Sequence, residues 1–230
     1  MNSRDAFARL RRLGIPVIET ADAAAALQQS TYAASKTLSR LALSELVTPI
    51  RHGTWWIDSK VDPYRLAEYL TAPLPNYLSL QTALHLRGMI EQIPETLYLV
   101  SIARTQDIVT KVGLFSVHHV AAELFGGFEQ SDEGVRLATP EKALFDLAYL
   151  SGGRSRLFAG LPEMELPRGF RWSELKNWVE RILSERRRTQ VKRRLARFLG
   201  VRNVPPWLRP TQDPSDVGNR VADRSRRSPR

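Results

Sequence analysis

Four side chains near the start of the chain have the types and spacing for recognition chemistry: Tyr32, Lys36, Ser39 and Arg40. If residues 31–43 form a helix, a turn of about 100° per residue puts these four on one side. Ala34, Leu38 and Leu41 then recur at i, i+4 and i+7 and line a buried stripe on the other side. A phenol, an ammonium, a hydroxyl and a guanidinium on one exposed face can reach base edges and phosphates in a DNA major groove. Thr31, at the first turn of the same helix, joins this set. Arg51 and His52 add a second cationic point. They precede Gly53 in a tight turn, where glycine suits a positive φ and an arginine at the tip can contact phosphate.

Two other groups invite a chemical reading. Glu141, Lys142 and Asp146, with Asp132 and Glu133, could form an acidic nuclease or phosphotransfer site. The simpler reading is structural: Glu141 suits a helix N-terminus, Asp132 and Glu133 suit a turn, and Lys142 meets Asp146 at i+4. His118, His119 and Glu123 could be metal ligands, but His118 and His119 fit the end of a strand, and the set lacks a fourth ligand for zinc. With no Walker loop, no Rossmann glycine run and no nucleophile elbow, the sequence offers no enzyme, no cofactor site and no metal site.

The elements that must position the candidate face read in order. A basic amphipathic helix over 4–13 turns Phe7, Leu10, Ala6 and Leu13 inward, and Gly14 stops it. A short strand follows at 15–18. Thr20 caps a helix carried by Ala23, Ala24 and Leu27. Gln28, Gln29 and Ser30 form a turn, and Ser30 or Thr31 caps the next helix. Two β-like runs, 47–50 and 54–57, close a hairpin holding Trp55 and Trp56, large apolar side chains that steady a short ribbon. Helix, strand, helix, turn, helix and hairpin is the order of parts in a winged helix-turn-helix, assigned here to residues 1–60. A helical piece from Pro63 to Leu70 and the extended 72–77 form a connector over 61–76, either a hinge or a docked strut.

From 77 the pattern is mixed α/β. Ser79 caps a helix with Leu80, Ala83, Leu84 and Leu86 apolar; strands follow at 97–102 and 113–120. Runs at 124–130 and 135–139 flank a Ser-Asp-Glu-Gly turn. Thr139 caps a helix with Pro140 at its first position and Ala143, Leu144, Leu147 and Ala148 buried. A helical stretch over 172–199 carries two apolar stripes on nearly opposite sides, Leu175, Val179 and Ile182, then Val191, Leu195 and Phe198. This requires either a break near 185–190 or two different packing surfaces. The second half holds an arginine-rich face at 186–197, suited to phosphate, to a partner or simply to water. From Asn203 on, Pro, Asp, Ser and Arg predict disorder. The predicted class is therefore α+β: an N-terminal winged helix-turn-helix domain, a mixed α/β domain over 77–200, and a basic tail over 201–230.

Composition narrows the partners. The chain has 230 residues, 43% hydrophobic and 25% charged, with a formal net charge of +10. Charge is uneven: +3 over 1–60, −5 over 61–150 and +12 over 151–230. Basic ends around an acidic middle point to a nucleic-acid partner for the ends. The absence of cysteine excludes disulfides, thiolate metal sites and cysteine nucleophiles. No apolar run is long enough to span a membrane, and the N-terminus lacks the apolar centre of a signal peptide, so a cytoplasmic location is expected.

Three stretches together resemble the AbiEi-type antitoxin family of bacterial transcriptional regulators. They are AASKTLSRL followed by the GTWWID hairpin, YLSLQTALHLRGMIEQIPETLYLVS at 77–101, and ATPEKALFDLAYL at 138–150. The likeness spans roughly residues 5–200. It implies an N-terminal winged helix that binds operator repeats in double-stranded DNA and represses its own operon, with possible self-association on DNA. It also implies an α/β domain that counteracts a nucleotidyltransferase-like toxin of an abortive-infection (type IV toxin–antitoxin) system, by contact or indirectly. Within it Lys36, Ser39 and Arg40 fall on the recognition helix and Arg51 on the wing. The alternatives are a stand-alone winged-helix transcription factor without a toxin, a nucleic-acid-processing enzyme using acidic residues of 132–146, and an RNA-binding module driven by the arginine-rich C-terminus.

Overall fold

The fold was analysed in a computed structural model that describes residues 2–58, 60–151, 164–200 and 204–209. The architecture is mixed α+β, with antiparallel and parallel strand pairs. Helix α1 (Ser3–Arg11) opens on Asn2, whose side chain accepts the Arg4 N–H, and buries Ala6 and Leu10. Leu13, read above as inward, is 43% exposed, because the helix has already ended before Gly14. Strand β1 (Val17–Glu19) leads into α2 (Thr20–Leu27), which buries Ala23, Ala24 and Leu27. Ser30 accepts the Ala33 N–H and opens α3 (Thr31–Leu43), whose Ala34, Leu38 and Leu41 are buried. Strands β2 (Thr48–Arg51) and β3 (Thr54–Trp56) complete a three-stranded antiparallel sheet in the order β1-β3-β2. Leu10, Ile18, Leu27, Leu38, Leu41 and Ile57 form the core between these helices and the sheet.

The connector is packed along its length. Asp62 caps α4 (Pro63–Ala67), and Leu66, Ala67 and Leu70 are buried. They share one apolar cluster with Ile50 and Trp56 of the small sheet and with Leu78, Leu99, Phe115 and Val117 beyond. A backbone hydrogen bond from Lys111 N–H to the Ile50 carbonyl (3.2 Å) joins the same two regions.

The second sheet has six strands among the described residues, in the order β6-β7-β5-β4-β9-β8. They are β4 (Asn76–Leu78), β5 (Thr96–Ser101), β6 (Gln106–Thr110), β7 (Gly113–His119), β8 (Phe128–Gln130) and β9 (Arg136–Ala138). Pairs β5/β7 and β4/β9 are parallel; the other neighbours are antiparallel. Strands β4 and β6 have no counterpart in the sequence reading. The expected strand over 124–130 is shortened, since Ala122–Leu124 makes a 3₁₀ turn. Helix α5 (Leu80–Leu86) buries Leu80, Ala83 and Leu84, whereas Leu86 is 40% exposed. Helix α6 (Pro140–Leu150) begins where Thr139 accepts the Lys142 N–H, and every residue from Glu141 to Tyr149 is buried.

Helices α7 (Trp172–Glu180) and α8 (Glu185–Leu199) pack over α6. The chain breaks between them, just before the expected 185–190, because Ser184 caps α8 through the Arg187 N–H. Arg188 closes the junction by donating twice to the Ile182 carbonyl. Leu175, Val179 and Ile182 and also Val191 and Leu195 therefore reach one core. Disorder from Asn203 does not hold for 204–209: Val204 and Leu208 are buried in that core, and Pro206–Leu208 forms a 3₁₀ turn. The rest of the tail lies outside the described residues. Among the described residues no helix is long and apolar enough to cross a membrane.

Candidate nucleic-acid interface

Helix α3 separates its two faces as its spacing requires. Ala34, Thr37, Leu38 and Leu41 are buried, while Thr31, Tyr32, Lys36, Ser39 and Arg40 are exposed. Tyr32 is 71% exposed, and the Lys36 ammonium lies 4.5 Å from its ring centroid. A cation over an aromatic face at an exposed position gains about 0.5–1 kcal/mol, enough to bias two flexible side chains towards one arrangement. Arg40 is steadied differently. Its guanidinium donates to the Thr37 hydroxyl (3.3 Å), which donates to the Gln29 side-chain carbonyl (3.1 Å) in the turn before α3.

The hairpin tip is fastened to the start of α2. Thr20, expected to cap that helix, does not: Glu19 holds the cap position. The Thr20 hydroxyl donates to the Gly53 carbonyl (3.1 Å) and accepts from the Trp55 indole N–H (2.9 Å), and its backbone N–H also donates to Gly53 (2.8 Å). Gly53 has φ +76°, a conformation that a side chain would strain. Arg51 and His52 thus stand exposed on a turn tied down at its base, with the Arg51 Nε–H donating to Thr54 (3.4 Å).

A cleft of about 730 Å³ separates this hairpin from α3. Thr31, Tyr32 and Ser35 form one wall, Arg51, His52 and Gly53 another, and Ile50 and Trp55 also line it. Two of the predicted α3 residues, Thr31 and Tyr32, therefore share a cavity with both predicted hairpin residues. Lys36, Ser39 and Arg40 lie further along the helix and do not line it. The sequence reading missed Ser35 and the third wall, Val109, Thr110 and Lys111, from the end of β6 and the turn to β7. Only Ser35 was recoverable, as the neighbour of Thr31 and Tyr32 on the helix. Nothing local in residues 109–111 signals that so distant a stretch of chain faces α3.

The acidic group is arranged quite otherwise. Asp132 and Glu133 are exposed in the β8–β9 turn, while Lys142 and Asp146 are wholly enclosed. Lys142 Nζ donates to Asp146 Oδ1 (2.5 Å) and to the Leu124 carbonyl (2.7 Å). Tyr77 and Ser79 donate to Asp146 Oδ2 at 3.0 and 2.8 Å. Ser79 therefore spends its hydroxyl on Asp146 and makes no capping bond to α5, contrary to its sequence reading. The ammonium also lies within 6 Å of the Tyr77, Phe145 and Trp178 ring centroids. Burial pushes the Asp146 carboxyl up and the Lys142 ammonium down, and each partner's charge opposes the other's shift. Burial, reinforced by Asp146, holds the Tyr77 phenol well above its ordinary range. Glu141 Oε1 accepts the Arg171 backbone N–H (2.7 Å) and so ties α6 to the start of α7.

His118 and His119 end β7 and, as successive strand residues, project to opposite faces. His118 Nε2 lies 3.3 Å from the Ser116 hydroxyl, which donates to Asp107 (2.7 Å), and His119 Nδ1 lies 3.1 Å from the Ala103 carbonyl. Burial lowers the His118 pKa, and the Asp107 carboxylate partly offsets this. Among the described residues no group of three or more His, Asp or Glu is placed to hold a metal ion.

The basic face of α8 is divided between packing and solvent. Arg194 donates to the Ala148 carbonyl (3.0 Å), and Arg187 stacks 3.9 Å from the Tyr149 ring centroid. Arg186, Arg193 and Arg197 are exposed. No protein-family model matches this chain, and no curated protein matches it significantly.

Proposed function

We propose that this protein is a winged-helix DNA-binding repressor and antitoxin of AbiEi type, acting in the cytoplasm without catalysis. The observation that carries the DNA-binding half is the exposed row of Tyr32, Lys36, Ser39 and Arg40 on α3, with the tethered Arg51–His52 tip beside it. The helix order and the antiparallel β1-β3-β2 pairing support the winged-helix reading. In this mechanism α3 enters a major groove. Lys36 and Arg40 contact phosphate or guanine, Tyr32 and Ser39 read or position, and Thr31 supports them from the first turn. Arg51 and His52 touch the backbone beside the minor groove. One such module buries only about 600–1,000 Å² of its surface on DNA, so useful specificity needs two copies on repeated half-sites. The α/β domain would counteract a nucleotidyltransferase-like toxin, a reading supported by the likeness of 77–101 and 138–150 to the antitoxin family.

Lys36→Ala with Arg40→Ala tests the first half. The double variant keeps its thermal melt, loses operator retardation in a gel shift, and lowers the slope of log affinity against log salt by about 2 if both residues meet phosphate. Unchanged affinity would remove α3 as the reading element. Co-expression with the neighbouring open reading frame tests the second half: growth arrest by that gene alone, relieved by this one, is the expected result.

A further inference from the structure

The cleft between α3, the hairpin tip and the β6–β7 turn has walls of two kinds. Trp55, Pro49 and Val109 offer apolar surface, and Tyr32 adds an aromatic edge. Arg51, His52 and Lys111 stand at its rim, all three exposed, and among the described residues none of them pairs with a carboxylate. Hydroxyls from Thr20, Thr31, Ser35 and Thr110 complete the lining. At about 730 Å³ it falls within the range of small-molecule sites, which are concave, largely apolar and fitted with a few convergent polar groups. A phosphodiester chain could use the rim but would gain nothing from the indole and aliphatic surface beneath it.

We infer that this cleft binds a small, flat, apolar molecule carrying an acidic group, with the aromatic carboxylates as the chemical class. The ring system lies against Trp55 and Pro49, and the carboxylate faces Arg51 and Lys111, with the Ser35 hydroxyl as a further donor. Arginine provides the planar fork that suits a carboxylate, and lysine adds a mobile point charge. The site is completed by the β6–β7 turn, so it exists only where the two sheets meet. It does not depend on the DNA reading, because occupancy is measured with no nucleic acid present.

The test uses the full chain, naphthalene carboxylate as the probe, and the matching naphthalene methanol as its neutral counterpart. Nitrogen–proton correlation NMR is expected to show saturable movement of the Trp55 indole signal and of the Thr31, Ser35, Gly53 and Lys111 amides. Arg51→Glu with Lys111→Glu should weaken the carboxylate by about tenfold or more and the alcohol by less than about threefold, as two lost and reversed charge contacts would. Ser35→Phe, which fills the cleft from α3, should weaken both. Lys176→Glu, on the outer face of α7, should change neither. Signals that do not saturate, movement centred on other residues, or equal weakening by Lys176→Glu would each overturn the site. So would binding that survives both Ser35→Phe and the double charge reversal.

Discussion

Helices α3 and α6 are built from the same parts. Each is opened by a hydroxyl cap, Ser30 or Thr139, and each carries a lysine beside aromatic rings. Lys36 lies 4.5 Å from one ring centroid and is exposed; Lys142 lies 4.4 Å from the nearest of three and is fully enclosed. What differs is what lies over each helix. α3 rests one face on α1 and α2 and leaves the other open, whereas α6 is covered by α5, α7 and α8 and backed by the strands. An ammonium in water costs little to hold and is free to meet a partner. An ammonium out of water must find its counter-charge inside, and Asp146 one turn on is that counter-charge, itself satisfied by Tyr77 and Ser79. The lesson is that a lysine beside aromatic rings is a surface contact or a structural anchor according to what covers its helix.

The contrast can be broken most strongly at α6. Asp146→Ala leaves a buried ammonium without its partner and is expected to cost about 3–5 kcal/mol in a denaturant titration. Lys36→Ala should stay within about 0.5 kcal/mol of the parent. Replacing both members of the pair, Lys142→Met with Asp146→Leu, should recover part of the loss. Recovery is incomplete because the Tyr77 and Ser79 hydroxyls lose their acceptor. If Asp146→Ala melts like the parent, the pair is not holding α6 in place.

At the hairpin, Thr20→Val removes the acceptor of the Trp55 indole and one donor to Gly53. About 1–2 kcal/mol of stability should go with it, together with a change in the near-ultraviolet dichroism of tryptophan. Retention of both would mean that the tip stands without this tie.

The smallest expected effect is at His118. Burial holds its folded pKa below the ordinary value, so below about pH 6.5 the unfolded chain binds a proton that the folded chain resists. The stability associated with this residue is present above that value and falls as pH drops through the folded pKa. His118→Gln should flatten the fall that sets in below about pH 6.5 in thermal melts. An identical slope in parent and variant would place the acid sensitivity elsewhere.

Much of the local structure was legible because it is local. Ser30 and the Ala34–Leu38–Leu41 stripe define α3 over Thr31–Leu43, and Thr139-Pro140 does the same for the start of α6. The turn at 131–134 and the strand at 113–119 follow from spacing alone. The failures have a common cause, which is contact between distant segments. Thr20 and Ser79 look like caps, but distant partners claim their hydroxyls, Trp55 and Gly53 in one case and Asp146 in the other. Strand β4 is three residues long and β6 alternates too weakly to announce itself, with the apolar Val109 exposed at the cleft. Missing β6 meant missing the third wall of the cleft. The α7–α8 break was placed slightly late because the stripes gave only its necessity, while Ser184 and Glu185 marked its position. The total enclosure of Lys142 and Asp146 was not readable from their i+4 spacing, which is equally common on wet helices.

Ile50 and Trp56 belong to the small sheet by their strands and to the larger sheet by packing. The front of the molecule is therefore not a detachable head. Cutting the chain after the hairpin would bare an indole and an isoleucine side chain that Leu66, Leu70 and Phe115 now cover, and a fragment ending there should be sticky. By the same route, a shift of the β6–β7 turn would be felt at residue 50, one position before the arginine at the tip.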